Sequence, residues 1–372
     1  KWDYNKTTKH TKCHLRTLDA THSAELLQEA QGSGKLDIVC DESILFESQL
    51  PKKLFRDVSS VSELTIESCK ILKLPESAFE GLNGLKKLSV NTKNSEWGAI
   101  KALEVHEHAL NGLKQLTTLE LTDSNIRVIP DGFYCPLNNL QVLNLTRNRI
   151  RSAENLGIEC SNGGSALKEI HTLDLSWNEL RIIPANWAVT KLRRLQHLNL
   201  QHNNISEVNG EMLTGLMSLH TLNMSYNNIN ELSSQMFFNS RQLREILLQK
   251  NDLYELPRGI FHQLAELIVL DLSQNLLSSL YINNETFSGL IRLRVLNLSH
   301  NSFSLFYARS FQDLHILQVL NLRNNTIGYI DERTFEPLYN LFELNLAENR
   351  LLILNDKLFD GLKVLSKLTL NN

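Results

Sequence analysis

A single spacing dominates this chain: leucine or a close relative returns as L-x-x-L-x-L-x-x-N-x-L about every 24 residues. The pattern reads Leu140-Leu143-Leu145-Asn148-Ile150, then Ile170-Leu173-Leu175-Asn178-Leu180, Leu195-Leu198-Leu200-Asn203-Ile205 and Leu219-Leu222-Met224-Asn227-Ile229. Further copies start at Leu243, Leu267, Leu293, Leu317, Leu341 and Leu365, and more degenerate ones at Val61, Leu85 and Leu116. In each copy the two leucines of L-x-L alternate with other residues, which predicts a short strand with one face buried. A unit that recurs in register and cannot bury its apolar face alone must stack on its neighbours.

The predicted fold is therefore an α/β solenoid. It is the leucine-rich repeat horseshoe, with a parallel concave β-sheet and an irregular convex side. The Asn that closes each strand is expected to turn inward and satisfy backbone groups of adjacent turns. Cys69 holds that place in the first full copy and Ser124 in the third. On the convex side Phe79, Phe133, Phe237, Phe261, Phe287, Phe311, Phe335 and Phe359 share one repeat position and predict a packed aromatic spine. The expected organisation is a cap and entry segment over residues 1–60, then about 13 repeats over 61–372. The start at Lys1 without Met, and the end inside a repeat, read as a fragment of a longer protein with its leader absent.

Five cysteines set the compartment. Cys13 and Cys40 precede the first full repeat, where an extracellular solenoid carries a stapled cap, so they are expected to pair. Cys135 and Cys160 flank a 30-residue step from Leu140 to Ile170, and their bridge would tie down the polar excursion 155–166. Cys69, at the ladder place, is expected to stay reduced. Sequons at Asn5, Asn144, Asn204, Asn223, Asn284, Asn297 and Asn324 agree with secretion. The repeat consensus itself generates those at Asn144, Asn223 and Asn297; the others arise independently.

Function classes fall away quickly. With 38 basic and 41 acidic residues the net charge of −3 offers no field for nucleic acid. No apolar run reaches the ~18 residues of a membrane span. His106-Glu107-His108 superficially resembles a metal cluster, and Gly32-Ser33-Gly34-Lys35 lacks the spacing of a phosphate loop. No nucleophile stands beside the scattered histidines, so neither an enzyme nor a cofactor is expected. Concave positions alternate with the buried leucines, as at Thr172, Asp174 and Ser176, or Thr221, Asn223 and Ser225, giving a wall read as mostly polar. Some thirteen strands at ~4.8 Å spacing would make an arc of about 60 Å, enough for a dimeric protein ligand.

The stretches PDGFYCPLNNLQVLNLTRN (130–148) and ETFSGLIRLRVLNLSHN (285–301) resemble insect Toll receptors, particularly those with long ectodomains. The Phe-Tyr-Cys-Pro motif followed by an insertion that Cys160 closes is the specific part of the likeness. It implies the N-terminal part of a single-pass receptor ectodomain, outside the plasma membrane. The implied partner is a secreted cystine-knot cytokine of the Spätzle type or another cell-surface protein, with receptor dimerisation as a further expectation. A leucine-rich repeat adhesion protein is the alternative, and a ribonuclease-inhibitor-like scaffold is disfavoured by its longer, helical repeats. Between the cap and Asn144 no strand carries a sequon. Glu63, Thr65, Glu67, Lys87, Ser89 and Glu120 are therefore the expected ligand wall, with Trp97, on the insertion 91–103, as its apolar anchor.

Overall fold

The computed structural model describes residues 9–19, 27–160, 167–188 and 191–371. Asn5 and residues 161–166 of the excursion 155–166 lie outside them. Within them the L-x-L periodicity becomes a parallel-strand solenoid that packs as two compact units, residues 1–179 with 190–194, and residues 180–189 with 195–372.

In the first unit the strands are β1 (His10–Leu15), β2 (Lys35–Cys40), β3 (Glu63–Glu67), β4 (Lys73–Leu74) and β5 (Lys87–Asn91). A one-turn helix α1 (Asn94–Trp97) precedes β6 (Glu104–Val105), β7 (Thr118–Thr122), β8 (Val142–Asn144) and β9 (Thr172–Asp174). The sheet runs β1-β2-β3-β5-β7-β8-β9, every pair parallel, while β4 and β6 pair separately. Strands β3, β5 and β7 hold five residues each, with the inward places Leu64, Ile66, Leu88, Val90, Leu119 and Leu121 fully buried.

The second unit is more regular. Its strands are β10 (His197–Asn199), β11 (Thr221–Asn223), β12 (Glu245–Leu247), β13 (Val269–Asp271) and β14 (Val295–Asn297). They continue as β15 (Leu305–Phe306), β16 (Val319–Asn321), β17 (Tyr329–Ile330), β18 (Glu343–Asn345) and β19 (Lys367–Thr369). All main-sheet strands here are three residues long and parallel, and β15 and β17 form a small second sheet.

An asparagine ladder closes the three-residue strands from β8 to β18. Asn251 is typical: its amide donates to the carbonyls of Met224 and Leu248, both at 3.0 Å, and its oxygen accepts from the N–H of Ile229 at 3.0 Å. One side chain thus satisfies three backbone groups that would otherwise be buried unpaired. Asn203, Asn227, Asn275, Asn301, Asn325 and Asn349 repeat the arrangement. The residue just before each ladder Asn takes a left-handed conformation although it is not glycine: Arg147, Trp177, His202, Tyr226, Lys250, Gln274, His300, Asn324 and Glu348.

The aromatic spine forms as the spacing predicts. Phe311 stacks on Phe287 at 6.0 Å and on Phe335 at 6.3 Å, and Phe335 continues to Phe359. Phe237 stacks on Phe261, and Phe55 joins Phe79 ahead of the first predicted member. Such offset contacts add about 0.5–1.5 kcal/mol each to the burial itself.

The cap disulfide differs from the expectation. Cys40 bonds Cys69, with their Cα atoms 4.9 Å apart, and not Cys13. Register explains it: Cys13 lies opposite Ile38. Cys40 is then one strand across and two residues along, a Cα separation of roughly 8 Å. A disulfide spans at most about 7 Å. On its other side β2 pairs Val39 with Glu67, which carries Cys40 alongside Cys69. Cys69 does occupy the buried ladder place, but its sulfur closes a bridge instead of remaining a thiol. Cys13 is buried outside both disulfides, and burial, then Glu29, pushes its thiol up. Cys135 bonds Cys160. Within the loop they close, Gly157 has φ +62° and a side chain there would run into the Pro130 carbonyl.

Candidate functional site: the outward strand face of the first unit

Alternation along β3, β5 and β7 turns Leu64, Ile66, Leu88, Val90, Leu119 and Leu121 into the core and the remaining residues outward. Register then assembles a three-by-three wall: Glu63, Lys87 and Thr118 side by side, then Thr65, Ser89 and Glu120, then Glu67, Asn91 and Thr122. All the strand residues expected on the ligand wall are brought together here. Glu63 is exposed and the others are half-buried. The Lys87 ammonium donates to the Glu120 carboxylate at 2.9 Å, which fixes both side chains diagonally across the wall. Asn91 is also committed, its oxygen accepting from the Lys93 N–H at 3.1 Å. Glu63, Thr65, Glu67 and Ser89 enter none of the wall's ion pairs, so the open part of the wall is acidic and polar.

The insertion beside the wall is ordered by two residues that sequence reading did not single out. Asn125 donates to the carbonyls of Gly98 and Lys101, both at 3.1 Å, and Arg127 donates to Ala99 at 3.1 Å. Nothing in the repeat pattern marks them, because both follow the degenerate ladder place of Ser124. Trp97 is not the exposed anchor: it is half-buried, with the Lys101 ammonium 4.5 Å over its ring. The apolar tip is Ile100, 83 % exposed. A lone isoleucine between Ala99 and Lys101 was the available signal.

Other expectations resolve as follows. Ser176 and Ser225 are buried and not concave, because each hydroxyl donates, at 2.6 Å, to the side chain two residues earlier, Asp174 or Asn223. Asn144, Asn223 and Asn297 are half-buried in their strands, and each side-chain oxygen accepts from the hydroxyl residue of its own sequon. Asn204, Asn284 and Asn324 are exposed. Trp177 is exposed with Arg147 stacked 5.0 Å from its ring centre. His106 and His108 meet edge to face at 5.6 Å, and among the described residues no three metal-ligating side chains converge. Among the same residues no helix is long and apolar enough to cross a membrane.

The outward wall is not polar throughout. In the second unit Val269, Val295 and Val319 stand in one outward row, an apolar strip beyond the polar positions Thr172 to Ser225.

The leucine rich repeat family model matches residues 101–154, 193–253, 241–303, 280–327 and 315–372. Toll-like receptor 7 of Drosophila melanogaster is 56% identical over 307 residues, covering 82% of this chain and 21% of that protein. The chain thus spans about a fifth of that relative's length. Keratocan of Coturnix japonica is 31% identical over 168 residues, 45% of this chain and 42% of that protein. Among solved structures, a Toll–Spatzle complex superposes with a TM-score of 0.66 at 22% identity, over 88% of this chain and 45% of that one, a likeness of fold. Two disulfides and a receptor relative fit an extracellular protein. The chain belongs to the leucine-rich repeat family, and its likeness to a Toll-type receptor extends over 82% of its length.

Proposed function

We propose that the chain is the ligand-recognising part of a Toll-type receptor, displayed on the outer side of the plasma membrane, and that β3, β5 and β7 carry its ligand wall. The observation behind this reading is the run of five-residue strands whose outward positions hold no sequon from Glu63 to Thr122. A large partner needs sheet surface free of sugar. The occupant that fits the receptor likeness is a secreted cystine-knot protein, and the unpaired Glu63 and Glu67 suit basic residues on it. Ile100, beside the wall, supplies an apolar contact of the kind that anchors interfaces.

The test is a glycan wedge. The double change Thr65→Asn with Glu67→Thr creates an acceptor on the β3 side of the wall, and Gln201→Ser creates one at Asn199 in β10. With occupancy verified by mass spectrometry, the first is expected to abolish capture of a Spätzle-type dimer and the second to weaken it less. Undiminished capture with sugar at position 65 sinks the wall. A leucine-rich repeat adhesion protein is the alternative reading. Clustering of beads coated with the chain alone, unaffected by the wedge at 65, would favour it.

A further inference from the structure

Two rows of side chains flank the ladder asparagines of the second unit, on the side where the strands end. One row is the residue before each ladder Asn, running through His202, Tyr226, Lys250, Gln274 and His300. The other is the residue after it, running through Asn204, Asn228, Asp252 and Leu276. Backbone hydrogen bonds from repeat to repeat hold both in register, Tyr226 N–H to Gln249 and Asn228 N–H to Ile205, each at 2.9 Å. Between the rows lies a groove of about 570 Å³, floored by the buried Asn227, Asn251 and Asn275. That volume falls among those of sites that hold small ligands.

The lining selects a class of occupant. His202 lies flat against Tyr226 with ring centres 4.2 Å apart, and Tyr226 stays 37 % exposed. Beside this aromatic platform Asn228 and Gln274 offer amides and Asp252 a carboxylate. Histidines aside, the charged side chains of the groove are one cation, Lys250, and one anion, Asp252, so it carries no net charge. A ring face to lie against, amides and a carboxylate for hydroxyl groups, and a neutral field together suit an uncharged sugar. An apolar occupant would leave these polar groups covered without partners.

The chain carries a source for that sugar. Asn204 heads an Asn-Ile-Ser acceptor, is exposed, and stands in the second row one repeat, ~4.8 Å, before Asn228. Its side-chain amide is hydrogen-bonded to none of the described residues. The other acceptors of this unit are placed less well. Asn324 stands beyond the far end of the groove with its amide nitrogen already 2.8 Å from His300 Nδ1. Asn223 and Asn297 sit in strands and donate to Gln201 and Asp271, and Asn284 lies on the turn after the Ser279–Tyr281 helical turn.

We propose that this groove cradles the N-linked glycan of Asn204, its first N-acetylglucosamine units lying over Tyr226 and hydrogen-bonding to Asn228, Asp252 and Gln274. The glycan is then laid along the flank of the repeats instead of standing off into solvent. The groove is separate from the wall of β3, β5 and β7.

The test follows the secreted chain through digestion by a peptide N-glycosidase under native conditions, with release at each acceptor read by site-resolved mass spectrometry. Release at Asn204 is expected to be about tenfold slower than at Asn284, the ratio that ~1.4 kcal/mol of retention produces. Tyr226→Ala and Asp252→Ala, both at exposed positions, are each expected to remove most of that difference with unchanged circular dichroism. Tyr226→Trp should keep it, and Tyr329→Ala, at an exposed tyrosine away from the groove, should leave it as it is. An unglycosylated Asn204, or equal release at Asn204 and Asn284, overturns the proposal. So does slow release that neither groove variant speeds, because the backbone around Asn204 would then be the obstacle. Release at Asn324 that responds to Tyr226→Ala, with none at Asn204 responding, would give the groove to the other glycan and overturn the assignment. None of these readouts involves ligand capture by the wall, so the two readings fail separately.

Discussion

The strands of residues 35–122 and those of residues 197–369 solve one problem in two ways. The later main-sheet strands are three residues long, and from β10 to β18 each is closed by an asparagine of the kind that satisfies three backbone groups at Asn251. The earlier ones are five or six residues long and have no such asparagine at Cys69 or Ser124. There the closure is improvised: a disulfide at Cys69, a Thr92–Ser124 hydroxyl pair at 3.0 Å, and Asn94 donating to Ile71 at 2.9 Å. Lys70 is also buried, its ammonium donating to the Lys93 carbonyl at 3.1 Å. The lesson is that a regular ladder holds the strand short, while individual cross-links let it run on and present a broader face.

The contrast can be broken most forcefully at the disulfide. Bridging residues 29 apart restricts the unfolded chain by about 3–4 kcal/mol. Replacing Cys40 and Cys69 together by Ser should lower the urea midpoint accordingly. Non-reducing peptide mapping of the parent chain should recover Cys40 linked to Cys69. A Cys13–Cys40 peptide in its place would remove the cross-link from the comparison altogether.

A second experiment weighs the two kinds of closure directly. Asn251→Ala strands the carbonyls of Met224 and Leu248 and the N–H of Ile229, a loss of about 3 kcal/mol. Ser124→Ala removes one hydroxyl that accepts from the Thr92 N–H and hydroxyl and donates to the Thr122 carbonyl, and the loss of this single neutral group should cost about 1–2 kcal/mol. Paired denaturation curves showing equal losses would mean that Ser124 is as integral as a ladder Asn, and the distinction would collapse.

How much of the repeat is legible in the sequence follows from the same distinction. Ladder asparagines and spine phenylalanines obey a period, and Cys135 and Cys160 flank a break in that period; both the period and its break are visible in sequence. The Cys40–Cys69 bridge depends on which strand lies opposite which residue, a register that the broken pattern before Val61 does not specify. Ser176 and Ser225 were misread because alternation assigns them outward, whereas a local bond to Asp174 or Asn223 pulls their hydroxyls in. Trp97 was overvalued for its size, since nothing in the sequence shows Lys101 lying over it. Val269, Val295 and Val319 were legible by simple counting, and only the extent of the count hid them.

The smallest effect concerns protonation. Burial, then Arg244 and His197, hold the His220 imidazole below its ordinary value. A group lowered in the folded state contributes fully above its unfolded pKa and loses that contribution as pH falls through the folded one. The urea midpoint should therefore drop slightly between pH 7 and pH 5, and less so in His220→Gln. No difference between the two profiles would take His220 out of the account of this unit.

The left-handed residue before each ladder asparagine has a consequence for how such a chain diversifies. Its nine occupants are of eight kinds, cationic, anionic, amide and aromatic, yet none is β-branched. A side chain branched at Cβ is a steric outlier at φ near +55°, whereas unbranched chains of any polarity fit. The position therefore works as a column of interchangeable letters drawn from a restricted alphabet. Its chemistry can be rewritten, repeat by repeat, without disturbing the strand or the ladder beneath.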